Sequence, residues 1–239
     1  MSEDKVKIDY EYENVIIIPY RNRKEHLELF IKNVIPLFEK YLKPFKLVIV
    51  EQDEGKLFNR GMLLNIGFNE YKDKSRFFFT HDVDIYPNEK CIKELYTKQE
   101  ENNIVGIYTS QCNTLGGIIK FTSNHFQKLN GFPNNFWGWG VEDKALQNRV
   151  EYMKIQVNKN ILSNNSNRFD YFNIKNDVND RHMDKFFNDK THFEYDIFNT
   201  LIDSIKIKYI MYSGLNTLDY KIISREIINE NCEIIKVSI

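Results

Sequence analysis

FFFTHDVDIYP, residues 77–87, joins a run of apolar, β-favouring side chains to two carboxylates one residue apart, Asp82 and Asp84. The run reads as a buried strand. The acids do not belong to its interior, because an unpaired carboxylate at the edge of a core is costly unless a cation meets it. A strand that ends this way raises the question of what meets its charge.

The segments before it decide the fold. NVIIIPY (14–20) reads as a strand, RKEHLELFIKNVIPLFEKYL (23–42) as a helix and FKLVIVEQ (45–52) as a second strand. NRGMLLNIGFNEYK (59–72) reads as a helix that leads into the third strand, RFFFT (76–80). Strands alternating with helical patterns imply βαβ units around a largely parallel sheet, an α/β fold. Ligands gather beyond the carboxyl ends of such strands. Tyr20, Arg21 and Arg23 follow the first strand, Glu51 and Gln52 end the second, and Asp82 and Asp84 follow the third, so one crevice is expected to collect them.

Downstream, NIVGIYT (103–109) and GGIIKFT (116–122) read as strands, SNHFQKLN (123–130) as a short helix capped by Ser123, and Glu142 to Met153 as a helix. Residues 163–192 are polar and rich in Asn and Asp, the composition of a long loop or flap. The tail YKIISREIINENCEIIKVSI (220–239) reads as β-structure. With no repeat or linker, the expectation is one domain over 1–239, its first 13 residues a flexible or edge segment.

The 239 residues are 42% hydrophobic and 14% aromatic, enough for a sizeable core, and the formal net charge of −1 offers no general attraction to nucleic acid. No apolar stretch approaches the ~20 residues of a membrane span, and the acidic start has no signal-peptide core. The expected compartment is the cytoplasm. Three cysteines, Cys91, Cys112 and Cys232, lie far apart without CxxC spacing, which argues against a disulfide framework and a zinc cluster.

Two constellations carry chemistry. Hard divalent cations such as Mn²⁺ and Mg²⁺ prefer carboxylate oxygens and keep positions open for phosphates, so Asp82 and Asp84 form a candidate metal–diphosphate clamp. Turn and cap roles are the competing reading. In GFPNNFWGWGVEDKALQNRV (131–150), Trp137 and Trp139 alternate with Gly138 and Gly140 and precede Glu142 and Asp143. Indole faces stack on sugars, and neighbouring glycines let a ligand approach. Acids in the first turn of a helix are expected to stay ionised beside the positive end of its dipole, as a general base for a sugar hydroxyl requires. Two core tryptophans with a helix-capping acid pair are the alternative.

PYRNRKEHL (19–27), FNRGMLLNIGF (58–68), DVDIYP (82–87), GFPNNFWGWGVED (131–143), RH (181–182) and GLNTLDY (214–220) together resemble, in the same order, the motif set of the β-1,4-galactosyltransferase family. The resemblance runs from about residue 14 to the C-terminus. It implies a GT-A type, Rossmann-like fold and inverting, Mn²⁺-dependent (or Mg²⁺-dependent) transfer of a galactose-type sugar from a UDP-sugar to an acceptor hydroxyl. By that similarity Pro19, Tyr20, Arg21, Arg23, Phe58, Arg60, Asp82, Val83 and Trp139 would hold the nucleotide sugar, with Thr114 and Gly117 beside the donor sugar. Asp84 would ligate the metal with His182. Asp143 matches the catalytic base, Glu142 supports it, and Trp139, Asp143 and Lys144 face the acceptor.

The departures from the family are specific. Where relatives complete the metal site with Met-x-x-His or His-x-His, this chain reads NDRHMD, with Asn179 at the Met position and Asp184 at the second His; Asp184 is the preferred candidate because its oxygen suits Mn²⁺. Lys144 stands where many relatives have an aspartate that grips N-acetylglucosamine, which points to a different or acidic acceptor. Thr114 stands where galactose-specific relatives carry a Tyr, leaving room for UDP-N-acetylgalactosamine. The family's cysteines near the third strand are missing, which fits a reducing compartment. Competing assignments are a GT-A enzyme using another UDP-hexose, and a silent UDP-sugar- or carbohydrate-binding module. His26, His81, His125 and His192 are assigned structural or surface roles.

Overall fold

The computed structural model describes residues 9–110, 114–138, 141–173 and 203–239. Strands β1 (Tyr12–Tyr20), β2 (Phe45–Gln52) and β3 (Ser75–His81) run parallel, with β1 between the other two. Parallel strands covered on both faces read as unbroken apolar runs, which is why these segments show no polar alternation. Successive side chains point to opposite faces. Ile16, Ile18, Phe77 and Phe79 enter a core with Phe30 and Phe38 of helices α1 (Lys24–Asn33) and α2 (Ile35–Tyr41). Val15, Ile17 and Phe78 enter a second core with Leu63, Leu64 and Phe68 of α3 (Arg60–Tyr71).

Strands β4 (Ile104–Thr109), β5 (Ile118–Thr122), β6 (Val157–Leu162), β7 (Lys221–Asn229) and β8 (Cys232–Ser238) complete an eight-stranded sheet of order β6-β4-β5-β3-β1-β2-β8-β7. β2 pairs with β8 and β4 with β6 in parallel, whereas β5 runs antiparallel to β3 and β4, and β7 to β8. This is a single-domain mixed α/β sheet flanked by helices, as the alternation implies. Among the described residues the remaining α-helices are α4 (Glu89–Cys91), which continues into a π turn at Ile92–Tyr96, α5 (Ser123–Lys128), α6 (Glu142–Tyr152) and α7 (Asp203–Tyr212).

The structure corrects the sequence reading in places. The helix expected over 23–42 is two, separated at Val34, because Pro36 has no N–H to bond backwards and fits only the first turn of a new helix. The cap of α5 is Thr122, whose hydroxyl accepts from the His125 amide at 3.1 Å; the Ser123 hydroxyl instead donates to the Lys72 carbonyl. β6, α4 with its π turn, and α7 have no counterpart in the sequence reading. β6 is an edge strand of mostly polar, half-exposed residues, so it lacks an apolar signature. Within the segment read as a loop, Ser166–Asp170 form a 3-10 turn, and residues 174–192 lie outside the described residues. Cys91 and Cys232 are buried free thiols, and among the described residues no helix is long and apolar enough to cross a membrane.

Candidate active site

The site is built at the carboxyl ends of β1, β2 and β3. Beyond β1 the chain turns at Asn22, whose φ of 52° lies in the left-handed region that Asn tolerates. This turn presents Arg21 and Arg23 on the rim. The Arg21 guanidinium donates to the Lys56 carbonyl at 2.7 Å and lies 5.3 Å from the centre of the Phe58 ring. Arg23 donates to Asp84 Oδ2 at 2.9 Å. Pro19, Tyr20 and Val83 are buried behind them.

The turn between β2 and α3 is fixed by buried amides. Gln52 donates to the Leu57 carbonyl at 2.8 Å and accepts from the Asn59 backbone N–H at 2.8 Å. This corrects the sequence expectation for Gln52: its amide braces the turn and is spent there. Glu51 lies 3.9 Å from Lys236. Asn59 caps α3 by accepting from the Met62 amide at 2.9 Å, and its side chain donates to the Asn134 carbonyl at 2.8 Å. Asn65 donates to Asn134 Oδ1 at 2.8 Å and to the Phe132 carbonyl at 2.7 Å. These asparagines tie the start of α3 to the segment carrying Trp137.

Arg60, the first residue of α3, sits at the centre. Its Nε and Nη2 donate to Asp82 Oδ1 at 2.9 and 2.7 Å, and its Nη1 lies 3.6 Å from Glu142 Oε1. Burial works against this cation, yet Asp82, Glu142 and Asp143 carry its pKa upward. The acids after β3 and the acids opening α6 therefore share one guanidinium.

α6 starts from Val141, whose φ of 77° is a strained conformation for a β-branched residue. Glu142 is 8% exposed. Burial, then the adjacent Asp143 carboxylate, push Glu142 up to about 7 against the pull of Arg60. Burial also raises Asp143, opposed by Arg60 and by the Lys144 amide, which donates to Asp143 Oδ1 at 2.7 Å. The expectation that the helix dipole keeps both acids readily ionised is thus overturned for Glu142, because loss of solvent outweighs a partial charge at the helix end.

The segment at 114–117 passes directly over this helix start. A Cβ at Gly116 would come within 2.6 Å of Asp143 Oδ2, so only glycine leaves the carboxylate in place. Gly117, at φ 89°, turns the chain into β5 against the Tyr108 carbonyl. Thr114 shares a 2.8 Å hydrogen bond with the Ser110 hydroxyl. Trp137 is half-buried, with Lys56 Nζ 5.6 Å from its ring centre.

The structure thus groups Arg23 with Asp84, and Arg60 with Asp82, Glu142 and Asp143, while Arg21 packs on Phe58. Trp139, His182, Asp184 and Asn179 lie outside the described residues. Sequence reasoning missed the Asn59–Asn65–Asn134 network and the setting of His81, a fully buried ring that burial pushes down to about 4. The signal available for the network was Asn65, a polar residue between Leu64 and Ile66 in an otherwise apolar helical run.

Two family models match the chain, the N-terminal region of glycosyl transferase group 7 over residues 7–97 and the N-terminal domain of galactosyltransferase over residues 103–171. Human beta-1,4-galactosyltransferase 4 is 32% identical over 151 residues, 60% of this chain and 44% of its own length. Rat beta-1,4-galactosyltransferase 6 is 36% identical over 154 residues, 60% of this chain and 40% of its own. The chain therefore spans less than half the length of these curated relatives. Among solved structures, Drosophila β1,4-galactosyltransferase 7 in complex with manganese, UDP-Gal and xylobiose has a TM-score of 0.71 at 23% identity, covering 94% of this chain and 93% of that one. The likeness establishes a GT-A fold. Matched by the two models over residues 7–97 and 103–171, and similar to these relatives, this chain belongs to glycosyl transferase group 7, the family of the β-1,4-galactosyltransferases.

Proposed function

We propose that the chain is an inverting, metal-dependent glycosyltransferase that moves galactose or N-acetylgalactosamine from a UDP-sugar to a sugar hydroxyl, forming a β-linkage. The observation that carries this reading is the position of Arg60, 2.7 Å from Asp82 and 3.6 Å from Glu142, which joins the strand-end acids to the helix acids in one charged cluster. The relatives named as galactosyltransferases, and the manganese and UDP-Gal held by the Drosophila protein, support it.

Asp84 suits a hard divalent cation, being a carboxylate with a quarter of its side chain exposed, paired with an arginine that phosphate would also attract. Mn²⁺ (or Mg²⁺) would be held there, with His182 and Asp184 as the sequence candidates for further ligands. Such an ion, when bound, neutralises the diphosphate leaving group. Arg21 and Arg23 offer forked guanidinium groups to the phosphates, and Pro19, Tyr20, Phe58 and Val83 wall the nucleotide.

Asp143 is the base. The acceptor oxygen attacks the anomeric carbon, the bond to the diphosphate oxygen breaks, and the acceptor proton passes to the Asp143 carboxylate, so a single displacement inverts the anomeric centre. Burial raises Asp143, which makes it a better base. Glu142, raised to about 7, holds the proton that the two acids share near neutrality and leaves Asp143 ionised. Thr114 leaves room for an N-acetyl group on the donor, and Lys144 follows the base on the acceptor side.

The test is a transfer assay with UDP-Gal and UDP-GalNAc in competition, with Mn²⁺ and with a chelator. Asp143→Asn should lower kcat by about 10²- to 10⁴-fold while donor binding is retained. A silent binding module would show no turnover in either form. Rejection of UDP-GalNAc would restrict the donor to galactose.

A further inference from the structure

Behind Asp82 lies a buried polar line that the proposed reaction does not use. His81, the last residue of β3, is fully buried; its Nδ1 lies 2.8 Å from the Asp82 carbonyl oxygen and its Nε2 lies 2.8 Å from Tyr96 Oη. A carbonyl only accepts, so Nδ1 carries the proton and donates. Nε2 then presents a lone pair, and the Tyr96 hydroxyl donates to it. One tautomer satisfies both bonds.

The Asp82 carbonyl also accepts from the Ile85 amide at 3.3 Å, while Arg60 holds the Asp82 carboxylate at 2.9 and 2.7 Å. Both ends of this residue are therefore gripped, and its peptide sets the direction in which Val83 and Asp84 leave the strand. Tyr96 is itself immobilised. Its ring stacks on Phe79 with centroids 5.1 Å apart and planes at 12°, and its carbonyl accepts from the buried Lys120 Nζ at 2.8 Å. Tyr96 closes the π turn Ile92–Tyr96, a rare geometry found preferentially at functional sites. Phe30 meets the imidazole edge-on at 5.0 Å and 85°.

We infer that His81 and Tyr96 are a positioning pair: the Tyr96 hydroxyl locks the imidazole in its Nδ1–H form, and the imidazole fixes the Asp82 carbonyl and thereby the aim of the Asp84 carboxylate at a divalent cation. The inference rests on the metal-dependent reading above. Outer-shell partners of this kind typically change metal affinity by about 10- to 100-fold when removed. The π turn thereby gains a purpose, since it carries Tyr96 to the end of a strand.

Three measurements test it on the full chain. The side-chain ¹⁵N shifts of His81 should report an Nδ1–H tautomer, and an Nε2–H tautomer would overturn the inference. Titration calorimetry of Mn²⁺ into the complex with UDP should show affinity about 10-fold weaker for Tyr96→Phe, which deletes one hydroxyl and keeps the stacked ring, with metal-free UDP binding unchanged. His81→Leu should lose as much or more, and His81→Asn, which retains an N–H donor, should recover part of it. A role confined to folding would lower the melting temperature of Tyr96→Phe and leave Mn²⁺ affinity unchanged, which overturns the inference alone. If the unaltered chain binds no Mn²⁺ with UDP, the proposed function falls and this inference with it.

Discussion

Replacing Glu142 by Gln should stabilise the protein at alkaline pH and leave its stability at acidic pH nearly unchanged. Glu142 is buried beside Asp143, and together these move it from the usual 4.5 to about 7 in the folded chain. A carboxyl raised on folding binds its proton more tightly in the native state, so unfolding releases that proton between the two pKa values. Stability is therefore fully present below about pH 4.5, falls by about 1.4 kcal/mol per pH unit as pH rises, and reaches its full loss above about pH 7. The difference of roughly 2.5 units corresponds to a penalty of about 3 kcal/mol, an upper figure because Arg60 and Asp143 titrate with it. Glutamine has the same shape and no charge to desolvate. For a chain of this size about 3 kcal/mol is roughly 6–12 °C in Tm. Thermal unfolding of both proteins at about pH 5 and about pH 8 would measure it, with the gain confined to the higher pH. Equal Tm differences at the two pH values, or a loss at the higher one, would refute the claim that burial outweighs the attraction of Arg60.

Other consequences are as direct. Gly116→Ala would place a methyl group 2.6 Å from the present position of Asp143 Oδ2, so kcat should fall by about 10²-fold with only a small change in Tm. Arg149→Met should cost at least about 3 kcal/mol in denaturant unfolding, because the buried guanidinium donates to the carbonyls of Leu129, Gly131, Ile210 and Ser213, which lose that donor, and to that of Asn130, which keeps the Leu215 amide. Asn59→Ala should cost about 1–3 kcal/mol, by removing the cap of α3 and the tie to Asn134, and should raise the KM for donor by loosening Arg60.

Much of the fold was legible in the chain because its inner strands are covered on both faces. Continuous apolar runs such as Val15–Ile18 and Phe77–Phe79, too short for a buried helix and rich in β-favouring side chains, fit a strand shielded from water on either side, and helices between them force a parallel core. β6 escaped because an edge strand is half-solvated and obeys no apolar period. The division of 23–42 into two helices was written in Pro36, whose missing N–H ends one helix and permits the next to start.

For the site, the sequence by itself determined which groups stand at the strand ends: Arg21 and Arg23 after β1, Arg60 at the head of α3, Asp82 and Asp84 after β3, Glu142 and Asp143 at the head of α6. Local periodicity suffices for that, since it places each residue relative to its own element. Only the tertiary structure decided their electrostatics. Arg60 meets Asp82 across 22 residues of chain, and a Coulomb interaction depends on distances through space that no local pattern encodes. Burial then reverses the effect expected of the helix dipole on Glu142, because solvent exclusion comes from every element packed around the side chain, whereas the dipole belongs to one helix.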